Sequence, residues 1–372
     1  MTKQPVFHLQ QNQYPFSTLS RLFRVLAIFL AIFCLASSLV LAKDDDDDDD
    51  DDDDRGGRGS FCSQTASLLF GSCGFEVQDD FLKAQAICLN VADDAERKQC
   101  FTDATAARNE SRQLCGGQRT ARLDACESLG EARYDPNFDP ALFDTDFTHP
   151  TNLNPYLPLR IGNTWEYAGG GESISIEVRN ETKSIDGLTC IVIRDQVTKD
   201  DELVEDTDDW FAQAKNGDVY YCGEEVKDFE SFDGDAPRLP ELVSIDGSFK
   251  QGRDGDKGGI SVLASPKLGQ VFRQEFSPNN AEDIAEILST TYMFGGNPEL
   301  DRFVPRQLAT RLCSGGNCVV TKEYSPLAPG VFERKYYAPG IGFFLQVKPD
   351  AGETVQLVSC NFDTRCNGLP TP

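Results

Sequence analysis

Clustered carboxylates are the residues of this sequence best suited to chemistry. Their oxygens are hard ligands of the kind that Ca²⁺ prefers, and paired carboxylic acids also serve acid–base hydrolysis. Two short stretches carry them, VEDTDDW and GRDGDKGG. The second is no EF-hand loop, because Ser265 stands where the twelfth position needs a glutamate. Solvated loops on an acidic surface are the simpler interpretation, and the Ca²⁺ candidates are Asp206, Asp208, Asp209, Asp254 and Asp256.

Other catalytic signatures are missing from the sequence. It contains two histidines, and His149 lies in a proline-flanked stretch, so a Ser-His-Asp or Cys-His site would depend on a linker residue. There is no nucleotide-binding loop, no G-x-S-x-G nucleophile elbow and no Asp-Thr-Gly motif. Trp165 and Trp210 are candidates for sugar stacking, although core packing explains them more simply. We therefore predict no catalytic residue, and no cofactor apart from Ca²⁺.

The thirteen cysteines carry the strongest positional signal. Cys34 lies in an apolar N-terminal segment, and the even number that remains argues for disulfides in an exported chain. Six of them, from Cys62 to Cys126, are separated by 11, 15, 12, 15 and 11 residues, a palindrome about position 94. Separations of 11 and 15 are close to whole helical turns, so these cysteines share one helix face. A zinc site built from the two close pairs near the C-terminus is the alternative.

The palindrome predicts a helical hairpin that folds back near residue 94. Eleven residues of helix span about 16 Å, which is too far for a disulfide, so the bonds must join the two arms. Six cysteines allow other connectivities, which spacing does not exclude. The cysteines further along the chain fit local pairs. The predicted bonds are Cys88–Cys100, Cys73–Cys115, Cys62–Cys126, Cys190–Cys222, Cys313–Cys318 and Cys360–Cys366.

Local signals agree in part with two helical arms. Asp93, with Glu96 three residues later, forms a capping box at the start of the second arm, and Gly130 marks its end. The stretch FGSCGF at 70–75 predicts a break in the first arm, and the glycines at 116–117 predict a kink in the second.

From about Leu159 onward, the apolar pattern has the period of two that is typical of strands. Asp186-Gly187 and Asn216-Gly217 are typical of hairpin turns. We therefore expect residues 165–222 to form an antiparallel meander of about five strands. Further strand-like segments follow, and about ten short strands predict a curved sheet, a half-barrel or a sandwich. The stretch 281–288 fits either a helix or a strand.

The first 60 residues form a targeting and tethering region. Residues 1–24 are polar with basic side chains and 25–42 are apolar, a pattern typical of a secretory signal peptide. An uncleaved signal anchor is the alternative, since an apolar run of this length just spans a bilayer. Asp44–Asp54 is an unbroken run of like charge, so 43–60 is predicted to be an extended acidic tether. The net charge of −26 argues against nucleic-acid binding.

A resemblance appears at NPYLPLRIGNTWEY (154–167). Together with DTDDWFAQAKNGDVYYCGE and KEYSPLAPGVFERKYYAPGIGFFLQV, this segment is similar to secreted bacterial β-sheet proteins of uncharacterised function. Those proteins have an NPYxPLxxGNxWEY strand motif and an upstream six-cysteine helical module. The resemblance spans most of Cys62–Asp363 and implies export and a β fold. It implies no activity, and no catalytic residue is carried over to this chain.

These patterns predict an α+β protein in which a small disulfide-stapled helical hairpin module precedes an antiparallel β-sheet domain, half-barrel or sandwich-like. The predicted parts are a signal peptide or signal anchor at 1–42, an acidic disordered tether at 43–60, a six-cysteine helical module at 61–133, a linker at 134–158 and the β domain at 159–366.

The predicted function is that of a non-enzymatic, secreted or periplasmic protein with a structural or binding role in the cell envelope or exterior. Its expected partner is an unknown protein, a glycan or an apolar ligand, and no nucleic acid. The alternatives are a carboxylate-dependent hydrolase acting on an extracellular substrate and a Ca²⁺-dependent adhesion or matrix protein. If residues 25–42 are uncleaved, the protein is membrane-anchored through them and faces away from the cytoplasm.

Overall fold

The computed structural model describes residues 60–372, which begin with two long helices. Helix α1 (Phe61–Leu89) and helix α2 (Asp94–Leu129) run antiparallel and are joined by residues 90–93. The predicted signal segment at 1–42 and the acidic tether, apart from Ser60, lie outside the described residues. Within 60–372, no helix has the length and apolar character needed to span a membrane.

Three nested disulfides fasten the helical hairpin. Cys62–Cys126, Cys73–Cys115 and Cys88–Cys100 have Cα–Cα distances of 5.7, 5.9 and 5.5 Å. These are the pairs that the palindromic spacing predicts. Because the cysteines of each helix lie on one face, every bond is a rung between the two helices.

The ends of the helices follow the local signals, but their interiors do not. The Asp93 side chain accepts hydrogen bonds from the backbone N–H groups of Ala95 and Glu96, and Gly130 (φ 86°) ends α2. Helix α1 continues through Gly71 and Gly74, so the predicted break in the first arm is wrong. The disulfides on both sides of these glycines hold the backbone against α2, which offsets the low helix propensity of glycine.

A single antiparallel sheet follows a connection with little regular structure. Two short helices, α3 (Pro298–Asp301) and α4 (Arg306–Leu312), interrupt its strands. The strands are β1 (Thr164–Gly169), β2 (Glu172–Ile185), β3 (Leu188–Lys199), β4 (Glu202–Gln213), β5 (Val219–Glu225), β6 (Asp228–Glu230), β7 (Glu241–Ser244), β8 (Phe249–Lys250), β9 (Lys257–Val262), β10 (Val271–Arg273), β11 (Glu275–Phe276), β12 (Ile284–Tyr292), β13 (Cys318–Tyr324), β14 (Glu333–Ala338), β15 (Gly342–Lys348) and β16 (Glu353–Cys360).

Tight turns set the register of the first strands. Strands β2 and β3 are joined by Asp186 (φ 48°) and Gly187 (φ 80°), and β3 and β4 by Asp200 (φ 51°) and Asp201 (φ 65°). Two consecutive positive φ angles are typical of type I′ hairpin turns, whose twist matches that of the strands. The predicted five-strand meander corresponds to β1–β5, and the ambiguous stretch 281–288 contains the start of β12.

The segment from β10 to β11 closes the sheet into a nearly complete barrel. Strand β10 pairs with β12 at one end of the strand order, and β11 pairs with β9 at the other end. Gln274 alone separates β10 from β11, so consecutive residues join both edges. A side chain at Gly259 would collide with the carbonyl of Arg273, which explains the glycine at this close approach. The predicted α+β class is confirmed, with one curved sheet in place of a sandwich.

The two faces of the sheet have different surroundings. On the outer face, Tyr336 donates its hydroxyl hydrogen to the carbonyl of Leu300 in α3 (2.6 Å), and Gln356 Nε2 donates to the carbonyl of Pro370 (2.5 Å). Helix α3 and the C-terminal segment therefore cover the outside of the barrel. The residues that alternate with these along the same strands point into the barrel and form its inner face.

The hairpin docks on the barrel through a buried ion pair. Arg122 of α2 donates from Nε and Nη2 to the two carboxylate oxygens of Glu282 (2.7 and 2.8 Å), and from Nη2 to Asn279 Oδ1 (2.9 Å). Pro329 packs against Gly117, through which α2 continues without a break, and a kink at these glycines stays a prediction. The ion pair is bidentate, and it fixes α2 beside the segment that leads into β12.

Three further disulfides lie within the β domain. Cys190–Cys222 joins β3 to β5 across β4, with a Cα–Cα distance of 6.7 Å. Cys313–Cys318 and Cys360–Cys366 close short loops, with sequence separations of 5 and 6 residues. All six bonds have the pairing expected from the sequence.

Removing the middle rung of the hairpin tests how much the disulfides stabilise it. The double substitution Cys73→Ser and Cys115→Ser removes a link between residues 42 positions apart, but the outer and inner rungs remain and shorten the loop that opens. The free energy of unfolding should therefore fall by about 3 kcal/mol. The matched change Cys360→Ser and Cys366→Ser releases a loop of 6 residues, and should cost about 2 kcal/mol. Urea denaturation of both variants under non-reducing conditions measures the difference. A larger loss from the short-loop variant would contradict the expected order.

Candidate ligand-binding site

Three charged side chains meet on the inner face where β13 and β14 lie side by side. The register places Glu323 opposite Glu333, and Thr321 opposite Lys335. Lys335 Nζ lies 2.7 Å from Glu323 Oε2 and 3.0 Å from Glu333 Oε1. Both glutamates are buried, whereas the lysine side chain is 26% exposed. Accessible space therefore borders the ion pairs.

The environment controls the charge of each of these groups. Burial opposes ionisation of Lys335, but the charges of Glu323 and Glu333 outweigh it and raise the pKa of Lys335 well above its ordinary value. Burial also opposes ionisation of Glu323, yet Lys335 and hydrogen bonds from Thr321 (2.8 Å) and Tyr337 (2.9 Å) lower the pKa of Glu323. Burial raises the pKa of Glu333, and the positive charge of Lys335 offsets only part of this effect. Glu323 is thus the fixed anion of the cluster.

Asp283, the residue before β12, adds a group that titrates near neutral pH. Burial raises its pKa to about 7. The negative charges of Glu333 and Glu323 act in the same direction, while Lys335 and a hydrogen bond with Ser325 act against them. The cluster therefore loses one proton, and gains one negative charge, as the pH rises through the physiological range.

Several buried polar atoms of the cluster have no hydrogen-bond partner within the described part of the chain. They are Glu333 Oε2, Asp283 Oδ1 and both amide atoms of Gln346. Gln346 is 1% exposed and lies on β15 opposite Lys335. A buried polar group left unpaired costs about 1–3 kcal/mol. When Glu333 and Asp283 are ionised, both unpaired carboxylate atoms are acceptors, so the cluster then suits a ligand that carries N–H or O–H donors.

Strand β4 brings further carboxylates to the inner face. Glu205, Thr207 and Asp209 alternate along β4 and are buried, and the hydroxyl of Tyr221 donates to Asp209. Six antiparallel steps separate β4 from β14 in the strand order, so the two strands run in the same direction. Glu205 lies in one row of opposed residues with Val197, Ile174 and Tyr167.

Along β12, β13 and β14, the inner face becomes apolar away from the charged cluster. Beyond the charged residues, β12, β13 and β14 continue with Ile287, Val319 and Tyr337, which pack in one cluster with Phe343. Further around the barrel, the ring of Tyr167 lies 5.1 Å from that of Phe343, and its hydroxyl donates to the Phe343 carbonyl (3.0 Å). Along β12, β13 and β14, the inner face is thus charged at one end and apolar at the other.

The first group of Ca²⁺ candidates is divided between the two faces of β4. Asp206 lies on the outer face, where Arg194 donates to both of its carboxylate oxygens (2.8 and 2.7 Å) and lowers its pKa. Asp208 shares that face, and burial raises its pKa. Asp209 points inward toward Tyr221. Adjacent strand residues point to opposite faces, so these three carboxylates do not converge.

The second group lies in the loop between β8 and β9. Asp254 is exposed at a turn with φ 55°, while Asp256 is buried and accepts a hydrogen bond from the backbone N–H of Lys250 (3.3 Å). Among residues 60–372, no three Asp, Glu, His or Cys side chains are arranged to hold a metal ion. Ca²⁺ binding by these five aspartates stays a prediction.

The histidine and the tryptophans considered in the sequence lie apart from the charged cluster. His149 is exposed, with Nδ1 3.2 Å from Asp146. Trp165 is buried and donates from Nε1 to the carbonyl of Ile341 (2.8 Å). Trp210 is on the outer face, with Lys183 Nζ 3.5 Å from its ring centre. Neither tryptophan presents an open ring face to a sugar.

The charged cluster is absent from the sequence-based candidates. Its signal is the alternation of Glu333, Lys335 and Tyr337 in VFERKYYA, at the period of a strand. Alternation shows that these three residues share a face, but it does not show that this face is the inside of a barrel. Lys335 and Glu333 would be expected in solvent on composition alone.

No protein-family model matches the chain, and no curated protein matches it. A crystal structure of a "putative lipoprotein" from Parabacteroides distasonis aligns with a TM-score of 0.26 and 11% sequence identity, over 56% of this chain and 100% of the other. A TM-score this low establishes neither a shared fold nor a shared function.

Replacing Asp283 by asparagine should flatten the pH dependence of stability. In the folded protein the pKa of Asp283 is about 7, above its pKa in the unfolded chain. The folded wild type is therefore more stable at low pH and loses stability as the pH rises toward 7. This loss reaches about 1.4 kcal/mol per pH unit. Asp283→Asn cannot ionise, so its loss between pH 5 and 7.5 should be smaller by about 2 kcal/mol.

Urea denaturation at the two pH values measures this effect. Asp254→Asn, in an exposed turn, is the matched control and should retain the wild-type pH dependence. Equal pH dependence in Asp283→Asn and the wild type would show that Asp283 is ionised throughout this range.

Proposed function

We propose that this protein is an exported, non-enzymatic binding protein that holds a ligand inside its β-barrel. Six disulfides support export, because such bonds persist in oxidising compartments and are rare in the cytosol. The apolar stretch at 25–42, followed by the acidic run, supports the same conclusion. Secretion or a periplasmic location follows if this stretch is cleaved, and membrane anchoring if it is retained.

The observation that carries the binding proposal is the division of the inner face into a charged end and an apolar end. Pockets for small ligands are mostly apolar, with a few polar groups that fix orientation. Here the polar groups are Glu323, Glu333 and Asp283, with Lys335 and the unpaired amide of Gln346 among them. Carboxylates outnumber cations in this set. The ligand class that fits is therefore a small molecule with a cationic, N–H-donating head and an apolar body.

A hydrolase is the second candidate, and one observation favours it. Asp283 has a pKa of about 7, while that of neighbouring Glu323 is lowered. A protonated acid beside an ionised carboxylate is the arrangement that acid–base hydrolysis uses. Binding is nevertheless the better supported function, because the ion pairs with Lys335 engage both Glu323 and Glu333. A hydrolase would release 4-nitrophenol from chromogenic glycosides or esters and lose this activity in Asp283→Asn.

Calorimetric titration with dodecylammonium tests the binding proposal. We expect one dodecylammonium per chain, bound at low micromolar concentration, and no measurable binding of dodecanoate, whose chain length is the same but whose head is anionic. Glu333→Gln should weaken dodecylammonium binding about tenfold, since it removes a charge-assisted hydrogen bond worth about 1.4 kcal/mol or more.

The matched control is Glu181→Gln, an exposed residue of β2 that pairs with Arg179. It makes the same change in net charge on the outside of the barrel and should leave binding unchanged. Equal weakening by both substitutions, or many dodecylammonium molecules per chain, would show that the amine adsorbs to the acidic surface, and the proposal would fail.

A further inference from the structure

The outward face of α1 carries a row of large apolar side chains. Leu68, Phe75, Leu82 and Leu89 are 76%, 79%, 56% and 70% exposed. They recur every seven residues, so they form a nearly straight line along a helix with 3.6 residues per turn. We call these four residues the α1 stripe. A seven-residue apolar repeat is the pattern by which helices pack along their length against other helices.

The α1 stripe lies on the side of the helix opposite α2. The residues that α1 buries, Ala66, Val77 and Cys88, lie about half a turn away from the stripe. Large apolar side chains in a regular row on the free side of a helix mark an interaction surface, since scattered surface leucines show no such order. The residues that border the stripe on one flank are uncharged, and they are Gln64, Gly71, Gln78 and Gln85.

The surface around the stripe is also poor in charge. Helix α1 has four charged residues in 29 positions, whereas 26% of all residues in the chain are charged. Asp79 is the acid nearest the stripe, and Lys83 Nζ lies 2.6 Å from its carboxylate. Depletion of charge at the centre of an exposed apolar patch is characteristic of protein interfaces.

We propose that the α1 stripe packs against the α1 stripe of a second copy of this chain. Two molecules with a net charge of −26 each repel one another, and this charge-poor face is where they approach at the lowest electrostatic cost. The even spacing also makes the stripe complementary to itself when reversed. In an antiparallel pair, Leu68 of one copy lies against Leu89 of the other and Phe75 against Leu82, as a two-fold axis requires.

The size of the stripe predicts a weak dimer. From Leu68 to Leu89 it is about 32 Å long, at 1.5 Å per residue. A strip of this length on one helix buries a few hundred Å² per copy, below the ~800 Å² per partner of stable complexes. We therefore expect a dissociation constant of about 10⁻⁵ to 10⁻⁴ M. Salt should strengthen the dimer, because it screens the repulsion between the two acidic copies.

Sedimentation equilibrium of the exported chain tests this dimer, which does not depend on any ligand in the barrel. Between about 5 and 300 μM in 0.5 M NaCl, the average mass should rise from that of the monomer toward twice that value. The double substitution Phe75→Gln and Leu82→Gln should keep the chain monomeric over this concentration range. This outcome corresponds to a rise of at least tenfold in the dissociation constant. Far-UV circular dichroism verifies that this variant keeps its helices.

The matched control is Leu239→Gln with Leu242→Gln, two leucines of the β domain that are 60% and 55% exposed. This variant should dimerise like the wild type. A wild type that stays monomeric throughout, or a stripe variant that dimerises as well as the wild type, would overturn the proposal. Association of the wild-type monomer with phosphatidylcholine vesicles, lost in the stripe variant, would also overturn it, because the stripe would then face lipid.

Discussion

Two buried carboxylates and one lysine compensate each other inside the barrel. Glu323 and Glu333 lie directly opposite one another on neighbouring strands, and both are buried. Two such carboxylates would repel, and an unpaired buried charge costs several kcal/mol. Lys335 lies within 3.0 Å of both carboxylates and compensates them. The register of β13 and β14 is therefore under strong constraint, because a shift of β14 by one residue would turn Glu333 and Lys335 outward and leave Glu323 unpaired inside.

The helical hairpin takes part in this constraint. Arg122 of α2 holds Glu282, and the next residue is Asp283, which belongs to the charged cluster. Adjacent residues thus connect the hairpin, on the outside, to the inner face of the barrel. The disulfide rungs stiffen α2 and so help to position the segment that leads into β12. This arrangement gives the hairpin a structural role in the site, in addition to the surface that α1 presents to solvent.

Much of the architecture could be predicted from local patterns. The spacing of the six cysteines from Cys62 to Cys126 depends on helical periodicity, so it indicated both the hairpin and its bonds. Asp186-Gly187 marked a hairpin turn, because few other residue pairs accept two positive φ angles. The break predicted at Gly71 and Gly74 was wrong, since the propensity of two residues is small beside the constraint of flanking disulfides.

The candidate site could not be predicted in the same way, because it depends on contacts between distant parts of the chain. Closure of the sheet pairs β9 with β11 and β12 with β10, and no local sequence pattern predicts this closure. The alternation of Glu333 with Lys335 does not reveal which face is inside. The acidic residues near Trp210 are adjacent in sequence, and adjacency along a strand places Asp208 and Asp209 on opposite faces.

A crystal structure of the purified protein with dodecylammonium tests whether the charged end of the inner face binds a cationic head while the apolar end holds the body of the ligand. The ammonium nitrogen should lie within about 3 Å of Glu333 Oε2 or Asp283 Oδ1, and the alkyl chain should lie against Val319 and Tyr337. Dodecylammonium bound on the outer surface alone, with the charged cluster unchanged in the same crystal, would contradict this binding mode.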